Sequence, residues 1–281
     1  TGNLGAFGIS VAGIGSVNGD IYDDVIVGAP YEGANSEGKA YLFLGGSSMN
    51  NVVDQVFVGS GANTKLGSGL SAAGDVNSDG YKDVLIGGLN PSFLIADTKG
   101  RVDLFLGSPA IDAVPDVTMI GLDANYQLGG SLADIGDYNK DGYGDFAVTS
   151  YPAKRVYIHF GSATPDNVPD LVIAGEDVNT NIYLGMSVSF AGDVNGDGNT
   201  DIIASGYGLS SPGSAYIFTY TRSYTDLHDA IFEGEAAGDW MGYAVAPAGD
   251  VNSDGFADVI VGARLNDAAG TDAGRAYIYF G

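Results

Sequence analysis

Residues 73–88 read AGDVNSDGYKDVLIGG: three aspartates and one asparagine fall within nine residues, and the chain then turns abruptly apolar. Asp, Asn and Gly favour tight turns, whereas the Val-Leu-Ile run favours an extended strand, so the stretch reads as a turn feeding a strand. The same pattern recurs as IGSVNGDIYDDVIVGAP (14–30), GDYNKDGYGDFAVTSYP (136–152), GDVNGDGNTDIIASGY (192–207) and GDVNSDGFADVIVGAR (249–264). Upstream of each stands a bulky residue followed by glycine: Phe7-Gly8, Leu66-Gly67, Leu128-Gly129, Leu184-Gly185 and Met241-Gly242. A second apolar run follows each turn: KAYLFLGG (39–46), RVDLFLGS (101–108), RVYIHFGS (155–162), SAYIFTY (214–220) and RAYIYFG (275–281). A third lies between units: DQVFVGS (54–60), VTMIGL (117–122), LVIAGE (171–176) and AIFEGE (230–235).

The period of about 56–62 residues therefore holds four short strands, repeated five times. The second and third strands are nearly continuous in apolar and aromatic residues, which fits sheets covered on both faces by neighbours. Radially packed four-stranded units predict an all-β, β-propeller fold, with residues 1–281 as one domain. The fifth unit ends after its third strand. Closure as a five-bladed ring is the favoured expectation, with part of a larger propeller as the alternative.

Composition narrows the function. The 281 residues carry 35 acidic and 11 basic side chains, a net charge of −24, and no cysteine. So few cations argue against nucleic-acid or anionic-membrane binding. The absence of thiols excludes disulfides and thiolate metal sites. With 45% hydrophobic residues the chain can bury a core. No signal peptide and no membrane-length apolar run is visible, so it reads as a soluble piece without direct membrane insertion.

Numbered from the first acid, the loops place oxygen donors at positions 1, 3, 5 and 9. These are Asp75, Asn77, Asp79 and Asp83; Asp137, Asn139, Asp141 and Asp145; Asp193, Asn195, Asp197 and Asp201; and Asp250, Asn252, Asp254 and Asp258. In the first loop Ser16 takes the leading place, before Asn18, Asp20 and Asp24. The carbonyl at position 7 (Tyr22, Tyr81, Tyr143, Asn199, Phe256) is the expected main-chain donor. Alternate oxygens on a tight loop suit a hard cation taking six to eight oxygens, and calcium fits better than the stricter magnesium. No His or Cys joins a loop, which disfavours zinc, copper and iron. An EF-hand loop would close on Glu at position 12 between helices; here the last acid stands at position 9 and a strand follows. About five Ca2+ sites are expected. The rival reading is a set of Asx turns without metal, in which the clustered carboxylates would lack a counter-charge.

Bulky-Gly, then Asp-x-Asn-x-Asp-Gly-x-x-Asp, then Gly-Ala-Pro resembles the FG-GAP repeat of integrin α-subunit N-terminal propellers and their bacterial relatives. Both literal signatures occur in the first unit, as Phe7-Gly8 and Gly28-Ala29-Pro30. The resemblance implies calcium on one face and partner-binding loops on the other, in a cell-surface or secreted adhesion protein. Integrin propellers have seven units against five here. In that family a partner's basic side chain enters an aromatic cup; the matching residues are Phe7, Tyr183 and Trp240, with Tyr126 one place out of register and Lys65 and Gln127 interrupting. Filling of the inner rim is the competing role for these aromatics. Loops 31–39, 90–100 (with Phe93 and Leu94) and 266–274 are further contact candidates.

His159 and His228 have no nucleophile motif nearby and read as packing or surface residues. The expected function is thus a non-enzymatic, calcium-stabilised adhesion or protein-interaction propeller, outside the cell or on its surface, meeting a protein or glycan ligand. A carbohydrate-binding propeller is the alternative, weakened by a single tryptophan. A channel-site enzyme is the remaining one.

Overall fold

The computed structural model describes residues 5–48, 50–89, 99–122, 127–151, 153–175, 183–207, 211–220 and 228–281. They form five antiparallel sheets in which strands follow one another in chain order. The first comprises β1 (Ser10–Gly15), β2 (Asp24–Ala29), β3 (Lys39–Phe43) and β4 (Gln55–Val58). The second comprises β5 (Leu66–Gly74), β6 (Asp83–Gly88), β7 (Arg101–Phe105) and β8 (Val117–Ile120). The third comprises β9 (Leu132–Gly136), β10 (Asp145–Ser150), β11 (Arg155–His159) and β12 (Leu171–Ala174). The fourth comprises β13 (Tyr183–Gly192), β14 (Asp201–Tyr207), β15 (Ser214–Phe218) and β16 (Ala230–Glu233). The fifth has three strands: β17 (Met241–Gly249), β18 (Asp258–Ala263) and β19 (Arg275–Tyr279). The sequence-predicted strands and their order are thus those observed.

Each acidic turn joins the first two strands of its sheet. A glycine enters it at a register shift: Gly15, Gly74, Gly136, Gly192 and Gly249 all have φ between 69° and 84°. Only a residue without Cβ adopts that conformation freely, and the resulting bulge aims the following loop out of the sheet.

The core consists of the spaces between consecutive sheets. Ile14, Ile26, Leu42 and Phe57 of the first sheet meet Leu66, Val84, Ile86 and Phe105 of the second. Equivalent clusters join the second to the third sheet, the third to the fourth and the fourth to the fifth. Innermost strands pack in succession, β1 on β5, β5 on β9, β9 on β13 and β13 on β17. The middle sheets show the expected two-sided burial, since every residue of β6 and of β10 is buried. In β2 and β18 burial is incomplete and leaves half-buried positions, because each of these strands has a neighbouring sheet on one side only.

The closed five-bladed ring is not what these strands form. Among the described residues β17 makes no comparable packing against β1. Apolar side chains stand in solvent at both ends of the series, with Phe7 60% and Val11 65% exposed at one and Val251 and Ile278 each 50% exposed at the other. The five sheets are propeller-like units that pack on one another in chain order, with no closure between the first and the fifth among the described residues.

Candidate metal centres

In loops two to five the same hydrogen-bond scheme is built four times. The position-1 carboxylate (Asp75, Asp137, Asp193, Asp250) accepts the N–H groups of positions 5 and 6 at 2.8–3.1 Å. The position-3 Asn (Asn77, Asn139, Asn195, Asn252) donates its amide to the position-5 carboxylate at 2.6–3.1 Å. The carboxylate of position 5 (Asp79, Asp141, Asp197, Asp254) in turn accepts the N–H of Tyr81, Tyr143, Asn199 or Phe256. Left-handed backbone at position 6 (Gly80, Gly142, Gly198, Gly255) makes the reversal.

The position-9 aspartate does something the sequence did not announce. Asp24, Asp83, Asp145, Asp201 and Asp258 are fully buried and clamp the loop to the end of the third strand. Asp83 accepts the N–H of Val76 at 2.7 Å with one oxygen and that of Gly107 at 2.7 Å with the other. Asp24 takes Val17 and Gly45, Asp145 takes Tyr138 and Gly161, Asp201 takes Val194 and Tyr220, and Asp258 takes Val251 and Gly281. Burial pushes the carboxyls of Asp83, Asp145 and Asp201 up to about 7 despite these bonds, and neighbouring loop aspartates add to the rise. Burial raises Asp24 as well. A nearby cation would offset both effects.

The first loop is the weakest of the five. The Ser16 hydroxyl donates to Asn18 at 3.1 Å, no carboxylate gathers the N–H groups of positions 5 and 6, and Ile21 stands where the other loops have glycine. Asn18 and Asp20 keep their mutual bond at 3.0 Å, and Tyr22 donates its N–H to Asp20 at 2.8 Å.

Successive loops are stitched together. The N–H groups of Lys82, Gly144 and Ala257 donate to the position-1 carbonyls of Ser16, Asp75 and Asp193 in the preceding loop at 2.8–3.1 Å. The Tyr81 ring lies against Gly19, where a Cβ would come within 2.5 Å of it, and Phe256 covers Gly196 in the same way. Position 7 thus contributes a side-chain plug between loops, a role its spacing did not reveal.

The donor chemistry fits a hard cation. Each carboxylate offers about four lone-pair sites, and these contacts use only some of them. Among the described residues no three or more His, Cys, Asp or Glu side chains converge closely enough to hold a metal alone. The loop's donor set mixes carboxylates with an Asn oxygen and a main-chain carbonyl, and its acids are held apart by the bonds above.

At the other end of the sheets, two of the aromatic-cup candidates, Phe7 and Trp240, fall on described side chains. Phe7 is exposed and meets Tyr41 edge-on at 5.5 Å in the first sheet. Trp240 stacks on Tyr243, and the Arg264 guanidinium lies 5.9 Å and 4.9 Å from their ring centres. The cation beside Trp240 is therefore the chain's own. Tyr126 and Phe93 lie outside the described residues, as does the side chain of Tyr183. Loop 31–39 folds back on itself through Glu32, which binds Lys39 at 2.7 Å and Tyr41 at 2.6 Å. In loop 266–274 the buried Asn266 amide binds Asp239 at 2.8 Å.

Both histidines pack against aromatics. His159 stacks on Phe146 at 4.9 Å, and burial pulls it down to about 4, so it stays neutral. His228 meets Tyr216 edge-on at 5.1 Å. A second aspartate series, Asp54, Asp116, Asp170 and Asp229, caps the turn into each fourth strand. Its signal was an Asp directly before each apolar run, overshadowed by the denser acidic loops.

Comparison with known proteins gives a consistent family signal. Residues 241–279 match the FG-GAP repeat. The matched unit is the fifth, which has the full loop, rather than the first, which has both literal signatures but lacks Asp at position 1. Integrin alpha-5 of Xenopus laevis is 28% identical over 219 residues, covering 73% of this chain and 20% of that protein. Integrin alpha-8 of Mus musculus is 30% identical over 165 residues, covering 54% of this chain and 15% of that protein. The chain thus spans a fifth or less of these relatives' length. A solved Bacteroides uniformis protein, described provisionally as a 6-phosphogluconolactonase, overlaps 88% of this chain and 66% of its own at 12% identity and a TM-score of 0.47. No helix among the described residues is long and apolar enough to cross a membrane.

Proposed function

We propose that this chain is a calcium-stabilised, non-enzymatic interaction module that works at the cell surface or outside the cell, binding a protein ligand through loops at the end of the sheets opposite the acidic turns. The observation that carries this reading is the fourfold identical loop, with oxygen donors at positions 1, 3, 5 and 9 and no nitrogen or sulfur ligand among them. Similarity to integrin alpha subunits supports the adhesion role.

In each full loop the residues that would hold calcium are the Asp, Asn and Asp of positions 1, 3 and 5, the carbonyl of position 7 and the Asp of position 9. Calcium there would supply positive charge to carboxylates that burial and crowding disfavour. The chain's own residues do the rest: Asp83 and its counterparts tie each loop to its sheet, and the Tyr81 and Phe256 rings tie loop to loop. At about a tenfold excess over its dissociation constant, each ion would add about 1.4 kcal/mol of stability, comparable when summed to the net stability of a domain. The first loop, short of one carboxylate, would bind weakest.

Equilibrium dialysis and calorimetric titration of the folded chain test this directly. The expected result is four stronger sites and one weaker, with a melting temperature that falls sharply in chelator. No bound calcium at millimolar supply, or melting indifferent to chelator, would remove the metal. Binding to a glycan array, competed by free sugar, would replace the protein ligand with a carbohydrate one.

A further inference from the structure

One place in the repeat changes its chemistry in the third sheet alone. The last residue of the third strand is aromatic in each of the other four sheets (Phe43, Phe105, Phe218, Tyr279), where it pairs with the residue just after the buried aspartate. In the third sheet it is His159, opposite Phe146. Two neighbours change with it. Between the first and second sheets Phe105 meets Phe57 at 4.5 Å, and Ile111 packs into the same cluster. Between the second and third sheets the places of Phe105, Phe57 and Ile111 fall to His159, Met119 and Pro165, each of them smaller.

Even with Phe146, larger than its counterpart Val84, stacked on the imidazole at 4.9 Å, a crevice of about 90 Å3 remains, lined by Met119, Ile120, Leu122, Leu128, Tyr157 and His159. Its mouth is apolar, with Ile120 57% and Leu122 75% exposed. His159 itself is 5% exposed, and its Nδ1 is buried without a hydrogen-bond partner among the described residues. A buried polar atom left unpaired is disfavoured, so Nδ1 is placed to take a polar group from outside the chain. Apolar walls with one polar group aimed inward are the ordinary composition of a small-molecule site. The crevice lies between the second and third sheets, each of which has another sheet on its far side.

We propose that this crevice binds a small uncharged hydroxyl compound with an apolar body, a phenol or a short alcohol, through a hydrogen bond to His159 Nδ1. A hydroxyl both donates and accepts, so it satisfies Nδ1 in either imidazole tautomer. Charge narrows the class. The neutral imidazole offers no counter-charge to an anion, and the neighbouring Asp166 carboxylate and the net charge of −24 oppose one. An ammonium group would have to shed its water among apolar walls. Size narrows it further. A closed apolar cavity of about 150 Å3 admits benzene; this smaller crevice opens past Ile120 and Leu122, so the ring or chain enters in part and covers those two side chains. The inference stands apart from the calcium reading, since no loop donor lines the crevice.

The test is an NMR titration of the 281-residue chain, folded in calcium, with phenol and in parallel with toluene, a similar ring without the hydroxyl. The expected result is saturable shifts clustered on Met119, Ile120, Leu128 and His159, with phenol bound about tenfold more tightly than toluene. The His159 Nδ1 resonance should move with phenol and stay in place with toluene, and benzoate should not bind. His159→Phe, which puts at this place the ring that Phe105 has in the second sheet, should reverse the preference. The phenol–toluene comparison on the parent chain decides the matter even if that variant fails to fold. Toluene bound as tightly as phenol, an Nδ1 resonance indifferent to phenol, binding of benzoate, shifts confined to other sheets, or no saturation at about 20 mM phenol would overturn the proposal. So would N-acetyltyrosinamide binding more tightly than p-cresol, which would make the occupant a partner's side chain rather than a free compound. Repetition in chelator separates the two readings: phenol binding that persists without bound metal leaves this site standing even if the calcium sites fail.

Discussion

Asp83→Asn isolates the structural work of the position-9 aspartate from any metal it holds. Asp83 is fully buried, and its two oxygens each accept a main-chain N–H at 2.7 Å. Asn is almost the same size but offers one acceptor, so its amide hydrogens would face either Val76 or Gly107. One charge-assisted bond is lost and one buried N–H is orphaned, which together cost about 2–4 kcal/mol. The assay is urea unfolding followed by circular dichroism in excess chelator, at a pH of about 8. That pH lies above the value of about 7 to which burial pushes this carboxyl, so the parent chain is ionised. Asp79→Asn is the control: its side chain is solvent-exposed, and its loss in chelator should stay within about 0.5 kcal/mol. In calcium the order changes, because Asp79→Asn should then lose the ion from its loop. If Asp83→Asn and Asp79→Asn were equally mild in chelator, the clamp would carry no weight.

His159 gives a pH prediction. Its folded value of about 4 lies below the ordinary 6.5, so between those values the unfolded chain binds a proton that the folded chain refuses. Stability from this residue is complete above about 6.5 and is lost as pH falls toward 4. His159→Phe, which keeps a ring against Phe146, should therefore remove about 2 kcal/mol of the destabilisation seen on going from pH 7 to pH 5; parallel unfolding curves for parent and variant would refute it. Gly196→Ala should destabilise by about 1–3 kcal/mol, because the new Cβ meets the Phe256 ring at a left-handed backbone position. Phe256→Ala in the same chain should recover part of that loss, and strict additivity in thermal melts would show that the ring contact is not the cause.

Much of this molecule is local and therefore legible. Strand, turn and glycine positions depend on a few neighbouring residues, so AGDVNSDGYKDVLIGG already specified an acidic turn and the core strand that follows it, though not the bulge at Gly74. The alternation of donors in loops two to five was readable for the same reason. Roles that depend on residues far along the chain were not. The two N–H groups that hold Asp83 come from Val76 and from Gly107, 24 residues away, and no spacing within the loop points to the second. The surroundings of the rim aromatics were not legible either: Phe7 and Trp240 occupy matching places in their repeats, yet only the fold brings Arg264 over Trp240. Closure was decided only in three dimensions. Every repeat looks alike in sequence, but which sheets pack on one another depends on side chains from different repeats, and among the described residues β1 and β17 make no packing like that between successive inner strands. The sequence determined what each sheet and loop is; the packing between sheets, which joins residues of different repeats, was decided only by the tertiary structure.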